Sequence, residues 1–168
     1  MKITATEEYG LRCLLRVATA TEDAPISAQT IAELEGLSLP HTQKMLRILS
    51  QGGLVDSKRG AHGGYYAARP AEEVSVGDVM RVLGGFLEVE ELCGRHTGEL
   101  QICRHACDCT IRPVWSHISE YVMSTMDRLP LSLLTLNEKA VRDHLSSLDP
   151  ADLDTKENSS ISFVEIPS

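Results

Sequence analysis

No stretch of this 168-residue chain approaches the roughly 18 apolar residues of a membrane span. Its first residues lack the basic, apolar, small-residue order of a secretory signal. A membrane partner is therefore not expected, and the expected compartment is the cytoplasm. No internal repeat is present, so a repeat array is ruled out. Positive charge is also scarce: 16 Lys and Arg face 24 Asp and Glu, for a formal net charge of -8 and a pI of about 5.2. That deficit does not exclude nucleic acid, because the charge is unevenly placed. Residues 1–70 carry eight basic and seven acidic residues, a balance of +1, whereas 71–168 carry eight and 17, a balance of -9. A DNA contact needs only a local basic surface. With 42% hydrophobic residues, the chain fits one small domain plus appendages or two very small ones, and a self-sufficient core in a single copy is not assured.

What is present reads as short helices followed by a hairpin. Thr4 and Glu7 have capping-box spacing and open a helix with Leu11, Leu14, Leu15 and Ala18 as its apolar stripe and Cys13 as a small core residue. After Pro25, Ser27 caps a second helix with an Ile31 and Leu34 face and a stop at Gly36. Ser38 then caps a third, with Pro40 in its first turn and Met45, Leu46, Leu49 and Leu54 continuing the core side. Helix, glycine turn, helix is the helix-turn-helix pattern, weak by itself. "GLVDSKRGAHGGYYAARP" strengthens it, since two short strands joined by a glycine-rich tip carrying Lys58, Arg59 and His62 form a hairpin. A helix-turn-helix followed by a cationic hairpin is a winged helix, whose tip can reach a narrow minor groove while the second helix reads the major groove.

Ser75 and Asp78 cap one more short helix, which ends at Gly84-Gly85. Farther on, Ile111, Val114, Trp115, Ile118, Val122, Met126 and Leu129 fall on one stripe of a helix stopped by Pro130, running about 25 Å. That is more apolar length than so small a domain covers, so pairing with a second copy is expected, with folding back on its own subunit as the alternative. Thr135 and Glu138 suggest a last capped helix to about Leu148, before an acidic, aperiodic tail. The expected fold is mainly α with a small β-hairpin. Its parts are a winged helix-turn-helix domain over 1–70, a connecting helix over 71–92, a cysteine-rich loop over 93–109, dimerisation helices over 110–148 and a flexible tail over 149–168.

Four of the five cysteines stand within "CGRHTGELQICRHACDC", residues 93–109, a stretch too polar for a core. In a reducing compartment such a cluster points to metal binding or redox sensing rather than a disulfide framework. Iron-sulfur clusters bind thiolates from a loop that turns inward from several directions, and Gly94 and Gly98 suit such a loop. Zinc is the inorganic rival: Cys93, Cys103, Cys107 and Cys109, or three of these with His96 or His105, would complete a tetrahedron. His96, His105 and His117 also read as solvated histidines. An enzyme exchanging disulfides through Cys107-x-Cys109 lacks a surrounding thioredoxin-like βαβ pattern, so catalysis is not expected.

The wing block "SKRGAHGGYYAARP", the start "MKITATEEYGLRCLL", the "GLVDS" before the wing and a cysteine followed by Val-Trp together resemble the bacterial winged-helix regulators that carry iron-sulfur clusters, typified by IscR and NsrR. The likeness covers roughly residues 1–147, with Ala67 standing where the family has leucine. It implies a homodimer on a partly palindromic double-stranded DNA operator. It also implies an iron-sulfur cluster, 2Fe-2S or 4Fe-4S, held by three cysteines and a variable fourth ligand. Cys103 and Cys109 match the last two cysteines and Cys93 the first, although its gap to Cys103 is longer than in IscR-like members. Cys107 is additional and is a possible replacement for Cys103, a resolving thiol or a fourth thiolate. Glu8 occupies the place of the acidic fourth ligand of NsrR-like members, with Glu35 ranked below it. Arg112 stands where IscR-like members have histidine, and a guanidinium has no lone pair to give. The resemblance places base reading at Ser38, Pro40, His41, Gln43 and Lys44, leaves Arg47 to phosphate or solvent, and sends Arg59 to the minor groove. A metal-free thiol switch on the same scaffold is the alternative.

Overall fold

The computed structural model describes residues 3–60, 62–84, 97, 99, 103, 105 and 108–148. Helix α1 (Ala5–Val17) starts as its capping box requires, with Glu7 N–H donating to Thr4 Oγ1 and Thr4 N–H donating to Glu7 Oε2 at 2.6 Å. Its inward face is Gly10, Cys13, Leu14 and Val17, one register away from the anticipated stripe, so Leu11, Leu15 and Ala18 are only half-buried. Several apolar residues in one helix satisfy more than one 3.6-residue register, and tertiary packing selects among them.

Helix α2 (Ala28–Glu35) is capped by Ser27 and stopped at Gly36, whose φ of 64° is the left-handed conformation that glycine adopts without cost. Ile31 and Ala32 form its buried face, while Leu34 is exposed, contrary to the sequence expectation. Ala32 is small enough to let α2 approach its neighbours closely, which turns Leu34, two residues on, toward solvent. Helix α3 (Leu39–Gln51) buries Thr42, Met45, Leu46 and Leu49 against α1 and α2. Strands β1 (Val55–Lys58) and β2 (Gly64–Ala67) pair antiparallel with Val55 opposite Ala67 and Lys58 opposite Gly64. Ile26 extends the hairpin through reciprocal bonds with Tyr65 of 2.9 and 2.8 Å, tying the wing to the body.

Helix α4 (Val76–Leu83) begins at the Ser75–Asp78 capping box and closes one side of the core. Its other side receives helix α5 (Arg112–Asp127), where Val76 and Met80 pack with Val122, Met123, Met126 and Leu129. Gly77 permits this crossing, since a Cβ there would overlap the Asp127 carboxylate. Asp127 in turn accepts two 2.7 Å hydrogen bonds from the Arg81 guanidinium. Beyond Pro130, a 3-10 turn (Leu131–Thr135) returns Leu131 to the core. Helix α6 (Glu138–Ser147) follows. Its cap is Asn137, whose Oδ1 accepts from Ala140 N–H at 3.0 Å, and not the anticipated Thr135, which donates instead to Ser132 O inside the 3-10 turn. Asparagine caps as well as threonine does, and the intervening turn shifts the helix start by two residues.

Candidate DNA-binding face and cysteine loop

The burial of Thr42, Met45, Leu46 and Leu49 leaves Pro40, Gln43, Lys44 and Arg47 on the solvent side of α3. Ser38 is exposed at the N-cap position, although its side chain makes no capping bond. His41 is half-buried: its ring meets the Tyr9 ring edge-on with centroids 5.3 Å apart, and its Nε2 is enclosed without a hydrogen-bond partner. Among the anticipated base-reading residues, Ser38, Pro40, Gln43 and Lys44 thus share the outer surface of the helix and its entry, while His41 faces α1. Arg59 is exposed at the hairpin tip. Its neighbour Lys58 donates to Glu22 O at 3.2 Å, which fixes the base of the tip.

Charge pairing separates two groups of cations. Arg12 Nε donates to Glu35 Oε2 at 2.7 Å and its Nη2 to Glu35 O at 2.8 Å, while Arg16 Nε donates to Glu35 Oε1. Burial pushes the Glu35 carboxyl up, but the hydrogen bonds from Arg16 and Arg12 outweigh it and hold the group below its ordinary pKa. The clamp ties α1 to the C-terminal end of α2, and Arg12 also lies over the Tyr9 ring at 5.7 Å. Arg81 is likewise engaged, by Asp78 and Asp127. Lys44, Arg47 and Arg59 are exposed and take part in no ion pair among the described residues, so their charge is turned outward.

Cys103 and Cys109 are half-buried free thiols. Cys109 stands just before α5, where its Sγ accepts from Arg112 N–H at 3.3 Å. Cys93, Cys107 and His96 lie outside the described residues; His105 and His117 are exposed. Among the described residues no three His, Cys, Asp or Glu side chains converge as a metal site. Glu8 is exposed on the first turn of α1, whereas its neighbour Glu7 is buried in the capping box. Glu35 is committed to its two arginines, so of the two acidic candidates Glu8 is the one with a carboxylate to offer. Thiolates and a carboxylate are donor types that suit an iron-sulfur cluster, and they suit zinc as well. Sequence reasoning missed the Arg12–Glu35–Arg16 clamp and the Tyr9–His41 contact. No local spacing signals either, because their partners are 19 to 32 residues apart.

A helix-turn-helix with an outward polar face on its second helix, followed by a cation-tipped hairpin, defines a winged-helix DNA-binding regulator. A family model described as "Rrf2: Iron-dependent Transcriptional regulator" matches residues 3–137, and the chain belongs to that family. It is 29% identical over 150 residues to Protein rrf2 of Nitratidesulfovibrio vulgaris, covering 89% of this chain and 97% of that one. The fold is similar to that of T. potens IscR, with a TM-score of 0.61, 26% identity and coverage of 89% of this chain and 93% of that one. It is also similar to Staphylococcus aureus CymR in an oxidized form, with a TM-score of 0.61, 29% identity and coverage of 82% and 98%. Among the described residues no helix is long and apolar enough to cross a membrane.

Proposed function

We propose that this transcriptional regulator acts in the cytoplasm as a homodimer whose operator affinity is set by an iron-sulfur cluster, held by Cys93, Cys103 and Cys109 with Glu8 as fourth ligand. Cys107 is the reserve thiol. The observation that carries the reading is the position of Cys109 at the entry of α5, a helix whose first half keeps its large apolar side chains exposed. Ile111, Val114, Trp115, Ile118 and Tyr121 are 61, 53, 41, 40 and 45% exposed. The apolar contacts of α5 with Val76 and Met80 of α4 come, among the described residues, from its second half. The first half therefore suits a second copy, and Cys109 stands at its start.

When bound, the cluster would supply iron and sulfide open to electron transfer or to a diatomic ligand. The chain's own residues supply the rest. Ligands on the loop and on α1 join the two parts of each subunit. The Arg81–Asp127 pair keeps α5 fixed on α4, and the paired α3 helices meet half-sites about 34 to 36 Å apart or a multiple of that. A coupling of about 1 to 3 kcal/mol between ligation and docking would change affinity roughly 5- to 150-fold.

A metal-free thiol switch on the same scaffold is the second reading. It is supported by the unbridged state of Cys103 and Cys109 and by the likeness to oxidized CymR. Zinc would leave the protein colourless. Protein isolated without oxygen is expected to be brown, to contain iron and acid-labile sulfide, and to change operator affinity when stripped of both. Absence of sulfide, or unchanged affinity after stripping, would reject the sensor.

A further inference from the structure

We infer that Arg47 reads a guanine directly in the major groove, as a specificity-determining residue alongside Gln43. The inference rests on α3 being the recognition helix. At about 100° per residue, Arg47 lies roughly 40° around the helix from Gln43, 60° from Lys44 and 20° from Pro40, in the middle of the outward arc rather than on its flank. Its distance along the axis is about 12 Å from Leu39 and about 6 Å beyond Gln43, within a groove roughly 12 Å wide. Arg47 is exposed and belongs to no ion pair among the described residues, and α3 contains no acidic residue. The guanidinium thus keeps its five donors free, two of which match the O6 and N7 acceptors of guanine. A phosphate contact would call for a cation at the edge of the arc. Lys44, at the rim of the same face, suits that role better.

The test uses the full-length protein isolated without oxygen. Selection from a randomised duplex library defines the preferred site, and anisotropy titrations then compare every single base-pair change in that site for wild type, Arg47→Ala, Arg47→Gln, Gln43→Ala and Lys44→Ala. Exchange of one symmetric G·C pair for A·T is expected to weaken wild type by about 5- to 150-fold. Arg47→Ala should erase that preference while keeping the others, and Arg47→Gln should move it toward adenine. Uniform weakening on all sequences, with a salt slope reduced by about 0.9, would make Arg47 a phosphate contact and overturn the inference. Base preferences left unchanged by Arg47→Ala but altered by Gln43→Ala or Lys44→Ala would overturn it while sparing the role of α3. Preferences left unchanged by all four variants would remove that role as well.

Discussion

Replacing Glu35 by Gln keeps the shape of the side chain and removes the charge that Arg12 and Arg16 share. The wild-type carboxylate accepts one guanidinium on each oxygen, whereas an amide has only one oxygen to offer. One charge-assisted bond is therefore lost and the other becomes an ion–neutral bond. A bond to a charged group contributes about 1.5 to 3 kcal/mol. The Glu35 side chain is 7% exposed but those of Arg12 and Arg16 are 38 and 47% exposed, so water replaces part of what they lose and the lower end, about 1.5 to 2 kcal/mol, applies. For a chain of this size that is a fall in Tm of roughly 3 to 8 °C at fixed protein concentration. Because the folded-state pKa of Glu35 lies below its unfolded value, the contribution is present in full above the ordinary carboxylate range near pH 4.3 and disappears as pH falls through the folded-state value. The gap between wild type and Glu35→Gln should thus be constant from pH 5 to 7 and close in acid. Iron and sulfide content should not change. Equal melting temperatures at pH 7, or a folded variant that has lost its metal, would refute the clamp and return Glu35 to the ligand set.

Three further outcomes follow from the same geometry. Cys13 is fully buried and burial pushes its thiol up to about 11, so in metal-free native protein at pH 8 iodoacetamide should spare it while labelling Cys103 and Cys109. Peptide mass spectrometry before and after denaturation reads this, and early labelling of Cys13 would show the core to be open. Ile118→Glu places a charge in the exposed stripe of α5 and is expected to yield monomers in sedimentation velocity with the helical circular dichroism retained. A persistent dimer would mean that another face pairs the subunits. Arg59→Ala should weaken operator binding and reduce the salt slope by about 0.9, the signature of one lost cation at the DNA. An unchanged slope would remove the wing from the interface.

The local signals in this sequence were legible because each resolves within a few residues. Thr4 with Glu7 and Ser75 with Asp78 close capping boxes three residues apart, Gly36 supplies its own left-handed turn, and Lys58 to Gly64 closes a hairpin. Cys13, an isolated thiol in an apolar run, is the small core residue that reading expected. What the pattern left open depends on which elements meet. Leu34 and Ala32 are both apolar residues of α2, and only contact with α1 and α3 decides that Ala32 goes inside. Glu35 is one acid among many until Arg12 and Arg16 approach from α1. His41 has the spacing of a DNA-facing residue, yet Tyr9 lies against its ring. The long apolar stripe of α5 shows the same limit within one helix. Sequence makes it a single surface, but the chain covers it from Val122 onward with α4 and leaves Ile111 to Tyr121 outside. That division follows from helix length. Val76 and Met80 lie about 6 Å apart along α4, about one turn and a small part of a helix about 24 Å long, so the turns from Ile111 to Tyr121 keep apolar area in contact with water.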